Sequence, residues 1–254
     1  MKLYMNPMTS IKRTIIGFIA LLPLVVAAQV GKVNGPLVTE GQWELDYNLV
    51  NYIDDDSALN NDLRQKLSLE YGLTEKWAIE SGMEWRRSDA KSLHNETVFF
   101  EVKRELTDQK DGWWLSSGAL AEYVLSTSGD PDEIEAKLLF QKEHDNGKFR
   151  HRANLTLARE VGDGAPDDVM FRTRWVSRWN AHNNFKPGIE WHAAWGEIDD
   201  FYSWENQRQY LGPTVQGELF KAKKFKVNYE IAYVFGLTDA SRDGAIRFRL
   251  ETLF

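Results

Sequence analysis

The strongest constraint on this chain is an alternation of apolar and polar residues with a period of two. The pattern is clearest from Phe225 to Phe235, where every second residue is apolar and the residues between them include Lys226, Asn228 and Glu230. Successive side chains of a β-strand point to opposite faces, so this pattern predicts strands with one apolar and one polar face. We therefore expect an all-β protein.

The same pattern recurs in about twelve segments of about ten residues, the length that a tilted strand needs to cross a bilayer. The predicted strands span residues 41–52, 62–72, 76–87, 96–106, 113–125, 133–142, 148–160, 168–179, 185–196, 208–220, 225–237 and 244–254. The faces are mixed in the fourth and fifth segments. A barrel of ten or fourteen strands is therefore an alternative to one of twelve.

The N-terminal region has the pattern of an export signal. Three basic residues accompany an apolar run over residues 14–26, and Ala27 and Ala28 offer small residues for cleavage. This pattern predicts a cleaved signal peptide over residues 1–28 and a single mature domain over residues 29–254. The apolar run is short for a membrane span, and a retained N-terminal anchor is the alternative.

Composition excludes several classes of protein. The chain has no cysteine, which rules out a disulfide, a thiolate site and a lipid-attachment site. Its formal charge is 31 − 38 = −7, and removal of the predicted signal peptide with its three basic residues leaves 28 − 38 = −10. An acidic chain of this kind is not expected to bind nucleic acid in general, because such binding needs a basic surface that neutralises phosphates.

The predicted connections between strands alternate in character. Short turns fall at residues 72–76, 107–112, 143–147, 180–184 and 221–224. The intervening connections, several of them longer and acidic, fall at residues 54–56, 87–95, 126–132, 161–168, 197–207 and 238–243. Short turns on the periplasmic side and longer loops outside are typical of membrane barrels.

Aromatic residues cluster at the predicted strand ends. Those near the short turns are Trp43, Tyr71, Trp77, Trp113, Phe140, Phe149, Trp179, Phe185, Phe225 and Phe254, and those near the opposite ends are Trp85, Tyr123, Trp195 and Phe235. Rings at these positions suit the interface between lipid and water. The alternative explanation is that aromatic residues are simply common in strands.

Two sequence stretches carry a resemblance to a known class of protein. With the export signal and the amphipathic strands, the turn Tyr71–Trp77 and the terminal stretch Leu250–Phe254 resemble Gram-negative outer-membrane β-barrels. The resemblance implies a single transmembrane antiparallel up-and-down barrel in the bacterial outer membrane, surrounded by outer-membrane lipids and lipopolysaccharide. It also implies that the barrel assembly machinery reads the C-terminal aromatic strand. A soluble periplasmic sandwich or lipocalin-like barrel, with its apolar side inside, is the alternative.

If the apolar faces meet lipid, the polar faces line a lumen that carries charges of both signs. The candidate lumen and selectivity residues are Arg150, Arg152, Arg172, Arg174, Arg178, Glu80, Glu84, Glu190, His192, Arg247 and Arg249. Two interpretations stay open. In the first, the charges pair and close the barrel. In the second, they line a channel for small polar solutes, anionic ones among them, and the arginines set its selectivity.

Catalytic and metal-binding patterns are weak in this sequence. Outer-membrane barrels that hydrolyse lipids resemble one another in placing a His and a Ser two residues apart on the lipid-facing side of a strand, but here His151 is followed by Ala153. His192 lies two residues from Glu190 without an evident nucleophile. We therefore predict no enzyme, no catalytic residue, no metal site and no cofactor. The acidic loops could bind divalent cations, although solvated loops are the simpler interpretation.

Overall fold

A computed structural model describes residues 30–57, 59–88 and 92–254, so the predicted signal peptide lies outside the described residues. The described chain forms one closed barrel of twelve antiparallel strands. The strands are β1 (Trp43–Ile53), β2 (Leu63–Gly72), β3 (Trp77–Arg87), β4 (His94–Thr107), β5 (Ser116–Ser126), β6 (Asp132–His144), β7 (Phe149–Val161), β8 (Met170–Trp179), β9 (Lys186–Glu197), β10 (Arg208–Ala222), β11 (Phe225–Gly236) and β12 (Gly244–Leu253). Among the described residues, no helix is both long and apolar enough to cross a membrane.

The barrel has up-and-down topology. Each strand pairs with its neighbours in the chain, and β1 pairs with β12 to close the ring. At the seam, Trp43 N donates to Phe254 O over 2.9 Å, and Phe254 N donates to Trp43 O over 3.0 Å. Closure satisfies the backbone groups that an open sheet edge would expose to lipid. The predicted fold class and the count of twelve strands are confirmed.

The largest boundary error concerns the fifth strand, which was expected to begin at residue 113 but begins at Ser116. The residues before it form a turn that contains a short 3-10 helix, Gln109–Asp111, and exposed Trp113. The Asp108 side chain accepts a backbone hydrogen bond at the start of this helix, and Gly112 ends it with a φ of 90°. These two residues favour a turn, so the aromatic residues after them are not drawn into the strand.

The outward faces of the strands form an apolar surface. Its exposed side chains include Leu45, Leu67, Leu69, Ile79, Phe100, Val102, Leu138, Leu155, Leu157, Ile189 and Ile231. Charged side chains are instead buried inside the barrel, among them Glu101, Lys137 and Arg247. This arrangement is the reverse of a soluble barrel and is the one that a lipid environment stabilises. The alternative of a soluble periplasmic protein is therefore wrong, and the chain is an outer-membrane β-barrel.

Exposed aromatic residues form a girdle around the end of the barrel where β1 begins and β12 ends. The rings of Trp43 and Tyr71 have centroids 4.5 Å apart, and the Arg104 guanidinium lies 5.0 Å from the Trp77 ring centroid. Trp179, Phe185, Phe225 and Phe254 are exposed at the same end. Turns as short as residues 223–224 connect strands here. We assign this end to the periplasm, because short turns and interfacial aromatic residues are typical of it.

Candidate functional site

The structure brings all the predicted lumen residues to the interior of the barrel. Side-chain alternation along each strand places them there, because the opposite face meets lipid. The set comprises Arg150, Arg152, Arg172, Arg174, Arg178, Glu80, Glu84, Glu190, His192, Arg247 and Arg249, each of them buried or lining a lumen cavity. Their individual partners differ, and these partners divide the lumen into distinct regions.

The wall formed by β8, β9, β11 and β12 contains a buried ion network. Arg247 is 0% exposed and bonds to Glu190 and Glu230, and Arg178 bonds to Glu230 as well. His192 Nε2 lies 3.1 Å from Glu190 Oε1. Each carboxylate is thus shared by more than one partner, which lowers the cost of burying these charges. This side of the lumen is closed and charge-balanced.

A second network lies at the seam between β12 and β1. The Arg249 side chain bonds to Asp46, and it lies 3.1 Å from Glu44 and 2.6 Å from Glu251. Lys32 lies 2.8 Å from Glu44. The three carboxylates are close enough to hold a metal ion. Two cationic side chains already form ion pairs with all three, so this cluster is accounted for as an ion network.

The opposite wall, formed by β2 to β6, carries most of the acidic residues. Arg172, which projects from β8, lies 2.7 Å from Glu133 and 2.8 Å from Glu135. Lys137 bonds to Glu122 and lies 2.6 Å from Glu135. The predicted residue Glu84 lies 3.5 Å from Arg64. Carboxylate oxygens of Glu70, Glu80 and Glu101 lie within 4.8 Å of one another.

Two of the predicted arginines differ from the rest. Within the described residues, neither Arg152 nor Arg174 has a carboxylate within ion-pair distance, whereas Arg150 lies 2.7 Å from Glu143. Arg152 Nε donates to Gln141 Oε1 over 2.7 Å, and Arg174 Nη1 donates to Lys32 O over 3.3 Å. Carboxylates act on both guanidinium groups from beyond ion-pair distance, Glu135 and Glu122 on Arg174 and Glu251 on Arg152. Neither guanidinium is held in a direct ion pair.

Residues 30–42 form a lumen segment that sequence reasoning missed. The segment has no regular secondary structure and runs from the start of β1 at the periplasmic end towards the extracellular end. There, Val30 N donates to Tyr52 Oη over 2.9 Å. Val30 also packs in an apolar cluster with Val50, Tyr52, Tyr210, Val234 and Ala245. The only sequence signal was an unassigned stretch before the first strand with valines, glycines and a proline, too short and too aperiodic to predict an inserted segment.

The remaining space in the lumen forms cavities at three levels. The periplasmic cavity has a volume of about 240 Å³ and is lined by Arg150, Arg152, Lys186 and Lys226, among others. A middle cavity of about 120 Å³ has an acidic lining with Arg174 at its edge. The extracellular cavity of about 550 Å³ opens among the loops. All three are polar and large enough to hold water.

Comparison with solved structures gives the same architecture. The NanC porin, in its rhombohedral crystal form, matches with a TM-score of 0.56 and 10% identity over 83% of this chain and 98% of that chain. An outer-membrane channel from Pseudomonas putida F1 matches with a TM-score of 0.58 and 12% identity over 89% of this chain and 99% of that one. The chain has the fold of outer-membrane channels. No protein-family model and no curated protein matches the sequence, so the similarity concerns the fold.

Proposed function

We propose that this protein is an outer-membrane channel for small polar solutes and that it favours anionic ones. The observation that carries the proposal is the pair Arg152 and Arg174, two lumen cations that form no direct ion pair with a carboxylate of the described residues. They project into the periplasmic and middle cavities, respectively. Charged side chains that line a pore set its selectivity, and a guanidinium that is not held in an ion pair can attract an anion.

The rest of the proposal follows from the same architecture. Residues 1–28 would direct export, and residues 29–254 would form the mature barrel. Outer-membrane lipids and lipopolysaccharide would contact the apolar belt, and the barrel assembly machinery would recognise β12. The small polar solute is the only ligand that we propose inside the lumen.

A closed structural or interaction barrel is the second candidate. The fully buried network around Arg247 and the segment at residues 30–42 favour it, because both occupy space through which a solute would pass. A lipid hydrolase is the least supported candidate. His192 is 1% exposed and bonded to Glu190, which leaves its imidazole inaccessible to an external substrate.

Conductance and ion selectivity in planar bilayers test the channel proposal. Removal of one charge about 4 Å from a wet path changes an anion's energy by about 1 kcal/mol, which is a factor of about five. We expect the double substitution Arg152→Ala, Arg174→Ala to lower the chloride-to-potassium permeability ratio on the order of fivefold or more. The double substitution to lysine should preserve the ratio.

Arg159→Ala is the matched control, because Arg159 pairs with Asp167 at 2.7 Å and is half exposed outside the lumen. This variant should have wild-type selectivity. Bilayers that stay silent after many insertions of folded protein would overturn the channel proposal. If the double alanine variant conducts with the same ion selectivity as the wild type, the proposed preference for anions is overturned, but the channel proposal is not.

A further inference from the structure

The segment at residues 30–42 is held in the lumen by contacts with side chains of the wall, which include ion pairs of Lys32 with Glu44 at 2.8 Å and with Asp46 at 3.3 Å. Asn34 N donates to Asn154 Oδ1 over 2.7 Å, and Asn154 Nδ2 donates back to Asn34 O over 2.9 Å. Val38 N donates to Glu105 Oε2 over 3.0 Å. These contacts join the segment backbone to side chains of the wall, and the segment is not a strand of the sheet. Gly41 N donates to Gly72 O of β2 over 2.9 Å, and Gly72 N donates to Gln42 O over 3.0 Å, so the last two residues are anchored to the sheet. Residues 30–40 can therefore leave the wall without breaking the barrel ladder.

The backbone of the segment lies directly against Arg152 and Arg174, the two arginines without ion pairs. A Cβ atom built on Gly35 would lie 3.0 Å from Arg152 Cζ, and one built on Gly31 would lie 3.4 Å from Arg174 Nη1. The Lys32 carbonyl accepts a hydrogen bond from Arg174. Glycine at these positions lets each guanidinium approach the chain closely. A carbonyl dipole offsets a cation less well than a full negative charge does, so a solute carboxylate or phosphate could compete for these groups.

The segment also separates two of the cavities. Lys32 and Asn34 line both the periplasmic cavity and the middle cavity. If they moved aside, the two spaces would join and both arginines would face the same passage. The structure thus places one element across the solute path and over the cations that would bind an anion.

From these observations we infer that residues 30–40 are a displaceable plug that covers two anion-attracting guanidinium groups, those of Arg152 and Arg174. The inference rests on the proposed channel function and adds its regulation. In the closed state, the backbone at Gly31 covers Arg174 and the backbone at Gly35 covers Arg152. In the open state, the plug leaves the wall and a carboxylate- or phosphate-bearing solute can reach each guanidinium group along the joined passage.

An engineered disulfide tests whether the plug must move. A Cβ atom built on Gly118 of β5 would lie 3.1 Å from Pro36 Cβ, close to the Cβ separation of about 3.5–4.5 Å in disulfides. The native chain has no cysteine, so Pro36→Cys with Gly118→Cys introduces the only pair. Oxidation should lower the opening frequency in planar bilayers by about tenfold or more relative to the reduced protein. Each single cysteine variant should be insensitive to oxidation.

A second variant loosens the plug without a covalent bond. Asn154→Ala removes both hydrogen bonds to Asn34, so the opening frequency should rise by about fivefold or more. The open channel should also have a higher chloride-to-potassium permeability ratio. Asn228→Ala is the matched control, because Asn228 lines the periplasmic cavity but bonds to Glu251. Heat-modifiable mobility in electrophoresis establishes that each variant is folded.

The outcomes separate the two proposals. The cysteine pair could conduct equally in its oxidised and reduced forms, and Asn154→Ala could leave the opening frequency unchanged. These results together would overturn the plug but not the channel function. Silence of the wild type, the reduced cysteine pair and Asn154→Ala together would overturn both. Asn154→Ala could also raise the opening frequency without changing the chloride-to-potassium permeability ratio. That result would show that the plug moves but does not cover Arg152 and Arg174, which contradicts the inference.

Discussion

At the residue scale, Arg247 shows how the lumen tolerates buried charge. Its guanidinium is 0% exposed, and both of its carboxylate partners, Glu190 and Glu230, are also buried. The pairing offsets the desolvation of each group, but the loss of one member leaves the others uncompensated. The same logic distinguishes Arg152, whose partner is the neutral amide of Gln141. Arg247 is thus held by two buried carboxylates, whereas Arg152 is held by a neutral side chain.

Replacement of Arg247 by alanine should therefore destabilise the barrel. Removal of one partner from a buried pair costs about 3–5 kcal/mol, because the remaining charges lose their compensation. We expect a lower denaturant midpoint for Arg247→Ala in detergent micelles, followed by tryptophan fluorescence. Arg159→Ala, which breaks an exposed pair, should change stability by less than about 1 kcal/mol. Equal midpoints for the two variants would contradict a structural role for the buried network.

At the element scale, β12 closes the barrel against β1. The terminal residue contributes two backbone hydrogen bonds to Trp43 as well as an exposed ring at the periplasmic end. The side-chain parity of this strand also directs Arg247 and Arg249 into the lumen. One strand therefore serves closure, the interfacial girdle and the lumen lining at once.

Deletion of Phe254 should lower the yield of heat-modifiable barrel in the outer membrane before it alters conductance. The deletion removes both the seam hydrogen bonds and the ring, whereas Phe254→Ala removes the ring alone. Phe225→Ala is the control, because this exposed ring lies at the same end on β11. A normal yield from the deletion variant would contradict the proposed role of β12 in assembly.

At the scale of the whole molecule, the barrel is turned inside out relative to a soluble protein. Apolar side chains cover its exterior, and charged networks fill its interior, where the segment at residues 30–42 packs against them. The energetic cost of a charged side chain thus depends on which face carries it. On the lipid face, the charge is neither solvated by water nor paired with an opposite charge, whereas in the lumen it can be both.

An arginine on the lipid face should therefore be costly. Leu155, exposed near the middle of β7, is suited to the test, and Leu155→Arg should destabilise the barrel in lipid vesicles by about 2–4 kcal/mol. Leu237→Arg is the matched control, since Leu237 is similarly exposed but follows β11 in a loop. Guanidinium unfolding of the two variants in vesicles measures the difference. Comparable losses at both positions would contradict the assignment of the outer belt to the membrane.

The sequence by itself determined the strands and their faces. The period of two follows from local backbone geometry, so it assigned Arg172 and Glu190 to the lumen without knowledge of any neighbour. It placed most strand ends within a few residues. The error at Ser116 arose because turn formation by Asp108 and Gly112 outweighed the apolar pattern after them.

Only the tertiary structure decided which charges meet. Arg178 on β8 pairs with Glu230 on β11, three strands away, and such pairing depends on how the curvature of the closed barrel brings non-adjacent strands together inside the lumen. Parity alone could not distinguish balanced arginines from Arg152 and Arg174. The position of residues 30–42 was likewise hidden, because an aperiodic segment held by single contacts has no local signature. The contacts that hold this segment inside the barrel form only after the strands that provide them have closed into a ring.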